Sequence, residues 1–161
     1  MRRSAVPALL ILSLAGCSSA PEPAAAPAPA AQPKAAAPKR VKDHQATLIQ
    51  EGLLSSRLVP DHILDHPKLP GGSLGEYEKK GKKYQLFVVD ADTNQAAAFL
   101  LFDVKNTLQT PEYISYMGGY FGSDGKQPVY VFAKLQYLAG VVGLSKDDAD
   151  PIARVLASRL R

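Results

Sequence analysis

All 12 aromatic residues of this 161-residue chain lie between Tyr77 and Tyr137. Aromatic side chains carry the largest buried areas, so a chain can centre its core only where they are. That places the core in the middle of the sequence and leaves the first third with little to bury. From Ser18 to Arg40 there are ten Ala and six Pro, with no Gly and no aromatic residue. Such a segment cannot build a core and favours extended polyproline II, at roughly 3.1 Å per residue. It reads as a tether able to reach about 70 Å. Lys34, Lys39 and Arg40 give it a cluster of positive charge.

The net charge of +4 invites a nucleic-acid reading. Its distribution removes that reading. Arg2 and Arg3 carry two of the charges, and Lys34, Lys39 and Arg40 less Glu22 carry the other two. Residues 41–161 balance 14 basic against 14 acidic side chains, so no positive excess remains to neutralise phosphates. No nucleic-acid partner is expected. Lys79, Lys80, Lys82 and Lys83 form a local basic run around Gly81, which reads as a solvated hairpin turn, with contact to anionic lipid head groups as its rival.

Residues 1–16 read as an export signal. A basic start is followed by an apolar run from Ala5 to Ala15, too short to span a bilayer. The run ends in Leu14-Ala15-Gly16-Cys17, and Cys17 is the one cysteine of the chain. This sequence resembles the lipobox of bacterial lipoproteins. The resemblance implies cleavage before Cys17, a covalent diacylglycerol on its thiol, usually acylation of the new amine, and a membrane as partner. More than one acyl chain is what holds a protein stably on a membrane. Ser18, rather than Asp, implies the outer membrane by the enterobacterial sorting rule. The division expected is signal 1–16, lipidated Cys17 with tether 17–40, and one domain over 41–161.

Within the domain, Asp43 reads as the cap of a helix through Leu48, Ile49 and Leu53. Pro60, Pro67, Pro70, Gly71, Gly72 and Gly75 give 59–75 a loop composition. Strands are expected at 76–79 and 83–90, with 85–89 central. The Ala-rich run after Thr93 reads as a buried helix over about 93–105, with a β-hairpin turning at 92–94 as its rival. Thr110-Pro111 reads as the start of a helix presenting Tyr113, Ile114, Tyr116 and Met117, stopped by Gly118-Gly119. Strands follow at 127–133 and 136–142. Asp150 and Pro151 then open a helix with Ile152, Val155, Leu156 and Leu160 on one face. The fold class predicted is α+β, a mainly antiparallel sheet with interspersed helices and a C-terminal helix. The order from Tyr84 to Arg161, with Gly118-Gly119-Tyr120-Phe121-Gly122 and Tyr137-Leu138-Ala139-Gly140, resembles an uncharacterised domain family of secreted bacterial proteins. That likeness implies a similar fold and no activity.

Chemistry-bearing residues are sparse. His62 and His66 lie four apart, the helical spacing that puts two ligands on one face, with Asp65 or His44 as a third. They are the candidate metal or small-ligand pair. Pro60 and Pro67 leave little room for a helix there, and no Glu stands between them for zinc-protease chemistry. Ser73, Ser115, Ser123 and Ser145 lack a nucleophile elbow, and every His precedes residue 67. An envelope hydrolase is the lowest reading. The Gly118–Gln127 stretch fails as a phosphate loop, because Tyr120 stands where the first Gly belongs and Gln127 replaces Ser or Thr. Tyr113, Tyr116, Tyr120 and Phe121 beside these glycines are the candidate binding residues, since Tyr joins an apolar body to a polar tip. The function expected is a membrane-anchored envelope lipoprotein with a non-catalytic binding or scaffolding domain. No cofactor is expected beyond the covalent lipid, and an envelope protein or peptidoglycan is the expected partner.

Overall fold

Apolar runs in β-strands alternate their side chains between two faces, and here both faces are covered. The computed structural model describes residues 40–79 and 81–161. The expected signal, Cys17 and the tether up to residue 39 lie outside them. Seven strands form one sheet: β1 (Leu53–Asp61), β2 (Pro70–Lys79), β3 (Lys82–Asp90), β4 (Gln109–Ile114), β5 (Gly119–Ser123), β6 (Pro128–Lys134) and β7 (Tyr137–Val142). Helix α1 (Asn94–Lys105) joins β3 to β4, and α2 (Lys146–Arg159) follows β7. The strand order is β1-β2-β3-β7-β6-β5-β4, with every neighbouring pair antiparallel. The fold is the α+β class with a C-terminal helix that the sequence predicts.

In β3, Tyr84, Leu86 and Val88 point to one face and Phe87 and Val89 to the other. Tyr130 and Phe132 of β6, with Ala139 and Val141 of β7, continue the first face; α2 covers it with Ile152, Ala153 and Leu156. Val129, Val131, Leu138 and Val142 continue the second, covered by Leu101 and Val104 of α1. The N-terminal segment adds Leu48 to the α2 side and Ile63 and Leu69 to the α1 side.

Helix α1 settles the choice left open over 93–105. Thr93 Oγ1 accepts from Ala96 N at 3.1 Å and caps it. Strands β3, β6 and β7 stand within a residue of their expected places.

Four expectations are corrected. The helix from Asp43 shrinks to a 3-10 turn, Gln45–Thr47, and Leu53 opens β1. The supposed loop 59–75 contains the end of β1 and most of β2, and its glycines are there for close approach. A Cβ at Gly71 would stand 2.3 Å from the Val59 carbonyl oxygen, and one at Gly72 2.5 Å from that of Val88. Thr110-Pro111 opens no helix. Pro111 lies in β4, an edge strand where its missing N–H is tolerated, beside a register shift with Thr110 at φ 47°. Finally, α2 starts at Lys146, four residues before Asp150, capped by Ser145 Oγ, and Pro151 sits inside it. Val155, placed on the buried face by the pattern, is exposed.

Candidate binding surface

The four candidate aromatic residues divide between the two faces of the sheet. Tyr113 and Tyr120 are paired across β4 and β5, with ring centroids 5.3 Å apart. Tyr120 packs against the α1-side core, and Tyr113 is 58% exposed. Lys105, at the end of α1, places its ammonium 5.4 Å from the Tyr120 ring and 5.4 Å from that of Phe102. Phe102 is 56% exposed and Phe99, one turn earlier, 63%. These residues form a continuous aromatic band: Phe99, Phe102, Lys105, Tyr120, Tyr113. Beyond Phe99 lies a depression of about 580 Å³, bordered by Leu100, Arg40, Lys42, Asp90 and Asp92.

The band exists because α1 has apolar residues to spare. Ala97, Leu101 and Val104 are enough to seat it on the sheet. Its exposed positions are Asn94, Gln95, Ala98, Phe99 and Phe102, none of them charged. The run reads as buried all round, since apolar helices generally are; instead the far side meets solvent. Phe99, Phe102 and Lys105 are the members of this surface that sequence reasoning missed. The uniform apolarity of 96–104 was the available signal.

Tyr116 and Phe121 lie on the α2 side. Phe121 packs into that core, its ring 6.4 Å from Tyr130. Tyr116 donates a short hydrogen bond to Asp150 Oδ1, which also accepts from Tyr130 Oη at 2.8 Å. Arg154 Nε donates to Asp150 Oδ2 at 2.9 Å, and its guanidinium stacks 4.3 Å from the Tyr116 ring centroid. Burial pushes the Asp150 carboxyl up, but these hydrogen bonds outweigh it and hold the carboxyl below its ordinary value. Burial, reinforced by the bond to Asp150, pushes the Tyr130 phenol up. Together with a short Lys146–Glu112 ion pair, the cluster fastens the β4 edge to α2. Its groups satisfy one another, which is a clamp.

The histidines are held separately. His62 and His66 flank a 3-10 turn, Ile63–Asp65, in which Leu64 and Asp65 have positive φ, as His62 does. The helical geometry that would align them is absent. His62 Nδ1 meets Asp61 at 3.3 Å. His66 Nε2 meets Thr107 Oγ1 at 3.1 Å, while its Nδ1 accepts from Lys68 N. Burial holds the His66 imidazole below its ordinary value. Among the described residues no three His, Cys, Asp or Glu side chains converge as metal ligands. His44 Nε2 meets Asp90 at 3.1 Å, and its ring stands edge-on to Tyr137. The buried Ser73 hydroxyl accepts from the His44 backbone amide at 2.8 Å and donates to Asp43 Oδ1 at 3.5 Å, while the His44 ring bonds Asp90, so the serine and the imidazole are not arranged as nucleophile and base. Of the glycines in 118–127, Gly118 and Gly125 have positive φ in the turns before and after β5, while Gly119 and Gly122 lie within β5 where neighbouring backbone approaches closely.

Compared with known proteins, the chain matches no family model, no curated protein and no solved structure.

Proposed function

We propose that this chain is a lipid-anchored protein of the bacterial envelope, and that its domain is a non-catalytic binding module whose contact surface is the aromatic band. The anchor reading rests on Leu14-Ala15-Gly16-Cys17 after a basic, apolar leader. In it Cys17 carries the lipid and the protein faces the periplasm from the outer membrane. The binding reading is carried by one observation: α1 turns Phe99 and Phe102 outward, continuous with Lys105, Tyr120 and Tyr113. Contiguous exposed apolar surface marks interaction sites, and aromatic residues dominate such contacts.

Two experiments test the two halves. Cys17→Ser is expected to abolish lipid on the mature chain by mass spectrometry and to release it from the membrane fraction. Unchanged fractionation sinks the anchor. Crosslinking in intact cells is expected to capture a product with the native chain and to lose it in Phe99→Ser/Phe102→Ser; an undiminished product removes the band as the contact surface.

A further inference from the structure

We infer that the occupant of the band is the lipid bilayer: Phe99 and Phe102 enter the boundary between headgroups and acyl chains of the membrane that holds the protein. The inference rests on the anchor reading and names what the band binds.

Three observations carry it. The first is where the tether begins. Arg40, Val41 and Lys42 line the same depression as Ala96, Phe99 and Leu100. Arg40, the last residue of the expected tether, therefore stands beside Phe99. A lipid on Cys17 makes membrane contact an intramolecular event, whose effective concentration is set by the length and stiffness of the tether. Two phenylalanines then suffice where a free domain would need a larger apolar face.

The second is the chemistry of the band. Its α1 end is uncharged, with Gln95 and Ala98 beside the two Phe. Tyr113 and Tyr120 continue it, and amphipathic rings concentrate at the level of the headgroups. Lys105 lies between the rings and can keep its ammonium at the phosphates while its stem stays apolar.

The third is the state of the acids. Lys42 pairs with Asp92 at 2.8 Å and with Asp90 at 3.2 Å, and Lys68 pairs with Asp103 at 2.9 Å. Two ammonium groups thus offset part of the charge of the three carboxylates nearest α1, which lessens their repulsion from anionic headgroups.

The chain contains no Trp, so Phe99→Trp, Phe102→Trp and Val155→Trp each introduce a single fluorophore. Val155 is exposed on α2, across the sheet, and serves as the control. The full chain is extracted from membranes and reconstituted into phosphatidylethanolamine–phosphatidylglycerol vesicles, with and without brominated acyl chains. Expected is a loss of about half the emission at positions 99 and 102 with brominated lipid, and little change at 155, as suits a face buried in the interface. Equal quenching at all three positions, or none at 99 and 102, overturns the inference. A blue shift that grows with protein density but is insensitive to bromine indicates contact with a second copy, and also overturns it. Mass spectrometry of the same preparation reads Cys17 separately. Should that thiol be bare, the anchor reading fails alone, and the chain is coupled through it to a maleimide phospholipid so that the contact is still measured.

Discussion

The two helices of this domain cover opposite faces of one sheet and treat water in opposite ways. Helix α2 buries Ala149, Ile152, Ala153 and Leu156 and turns Asp147, Asp148, Arg154 and Arg159 outward. It is also fastened by side chains: Asp150 to Tyr116 and Tyr130, Lys146 to Glu112, and Lys82 to Asp148. Helix α1 buries three residues and turns an uncharged face with two Phe outward. Its neighbours hold it through Lys68–Asp103 and, just past its end, His66–Thr107. The core and the clamp explain α2 apart from the exposed Val155, and only the inner half of α1. The unexplained half is where function is to be sought.

Substitutions of graded severity can break that contrast. The largest effect is expected at Leu156→Ala. Leu156 is fully buried under α2, and the cavity should cost about 3 kcal/mol by denaturant unfolding. A loss below about 1 kcal/mol would show that α2 is loosely seated. Next is Asp150→Ala, which strips the buried Tyr130 phenol and the Tyr116 phenol of their acceptor. It should cost about 2 kcal/mol and speed backbone hydrogen exchange in β4 more than in α1. Smallest is Phe99→Ser/Phe102→Ser, expected to change stability by no more than about 0.5 kcal/mol while abolishing the proposed contact of α1 with the bilayer. A large loss of stability there would mean that the outer face of α1 belongs to the core after all.

Acid separates the same two regions in sequence. His66 has a lowered value in the folded chain, so the unfolded chain binds its proton first. That contribution is complete above the ordinary histidine value of about 6.5 and fades as the pH falls through the lowered folded value. Asp150 is also lowered, and its contribution holds down to about pH 4 and fades below that. Unfolding midpoints recorded from pH 8 to pH 2 should therefore fall first at the histidine step. His66→Asn should flatten that step and Asp150→Asn the lower one; steps indifferent to these substitutions would remove the assignment.

What the sequence revealed depended on whether the local cause of structure was local. The alternation in β6 and β7 and the Thr93 cap of α1 act over a few residues and could be read directly. Strand β2 could not, because Gly71, Gly72 and Gly75 normally announce turns. Their reason lies across the sheet and in the folded packing, where Val59, Val88 and the Tyr77 ring leave no room for a Cβ. In the same way Pro111 imitates a helix start when its neighbours are unknown, and is admissible in β4 only because that strand is an edge. Of the candidate surface, Tyr113 and Tyr120 were legible as residues. Their separation from Tyr116 and Phe121 was not, since it follows from strand pairing. Phe99 and Phe102 were hidden by a correct rule, that apolar helices are buried, applied to a helix with more apolar surface than its seat could use.

The strand order also says something about time. The sheet consists of two meanders, β1–β3 and β4–β7, sewn together by β3 and β7, with Gln85 opposite Val142. For a chain that emerges from a translocation pore N-terminus first, β3 must wait for almost the whole remaining sequence before its inner edge is closed. During that interval Phe87, Val88 and Val89, all fully buried at the end, lack their β7 partner. Pairing so distant in sequence is slow and exposed to aggregation. For such a chain the sheet keeps an unfinished edge until residue 142 arrives, the window in which a holdase that shields extended apolar strands would act.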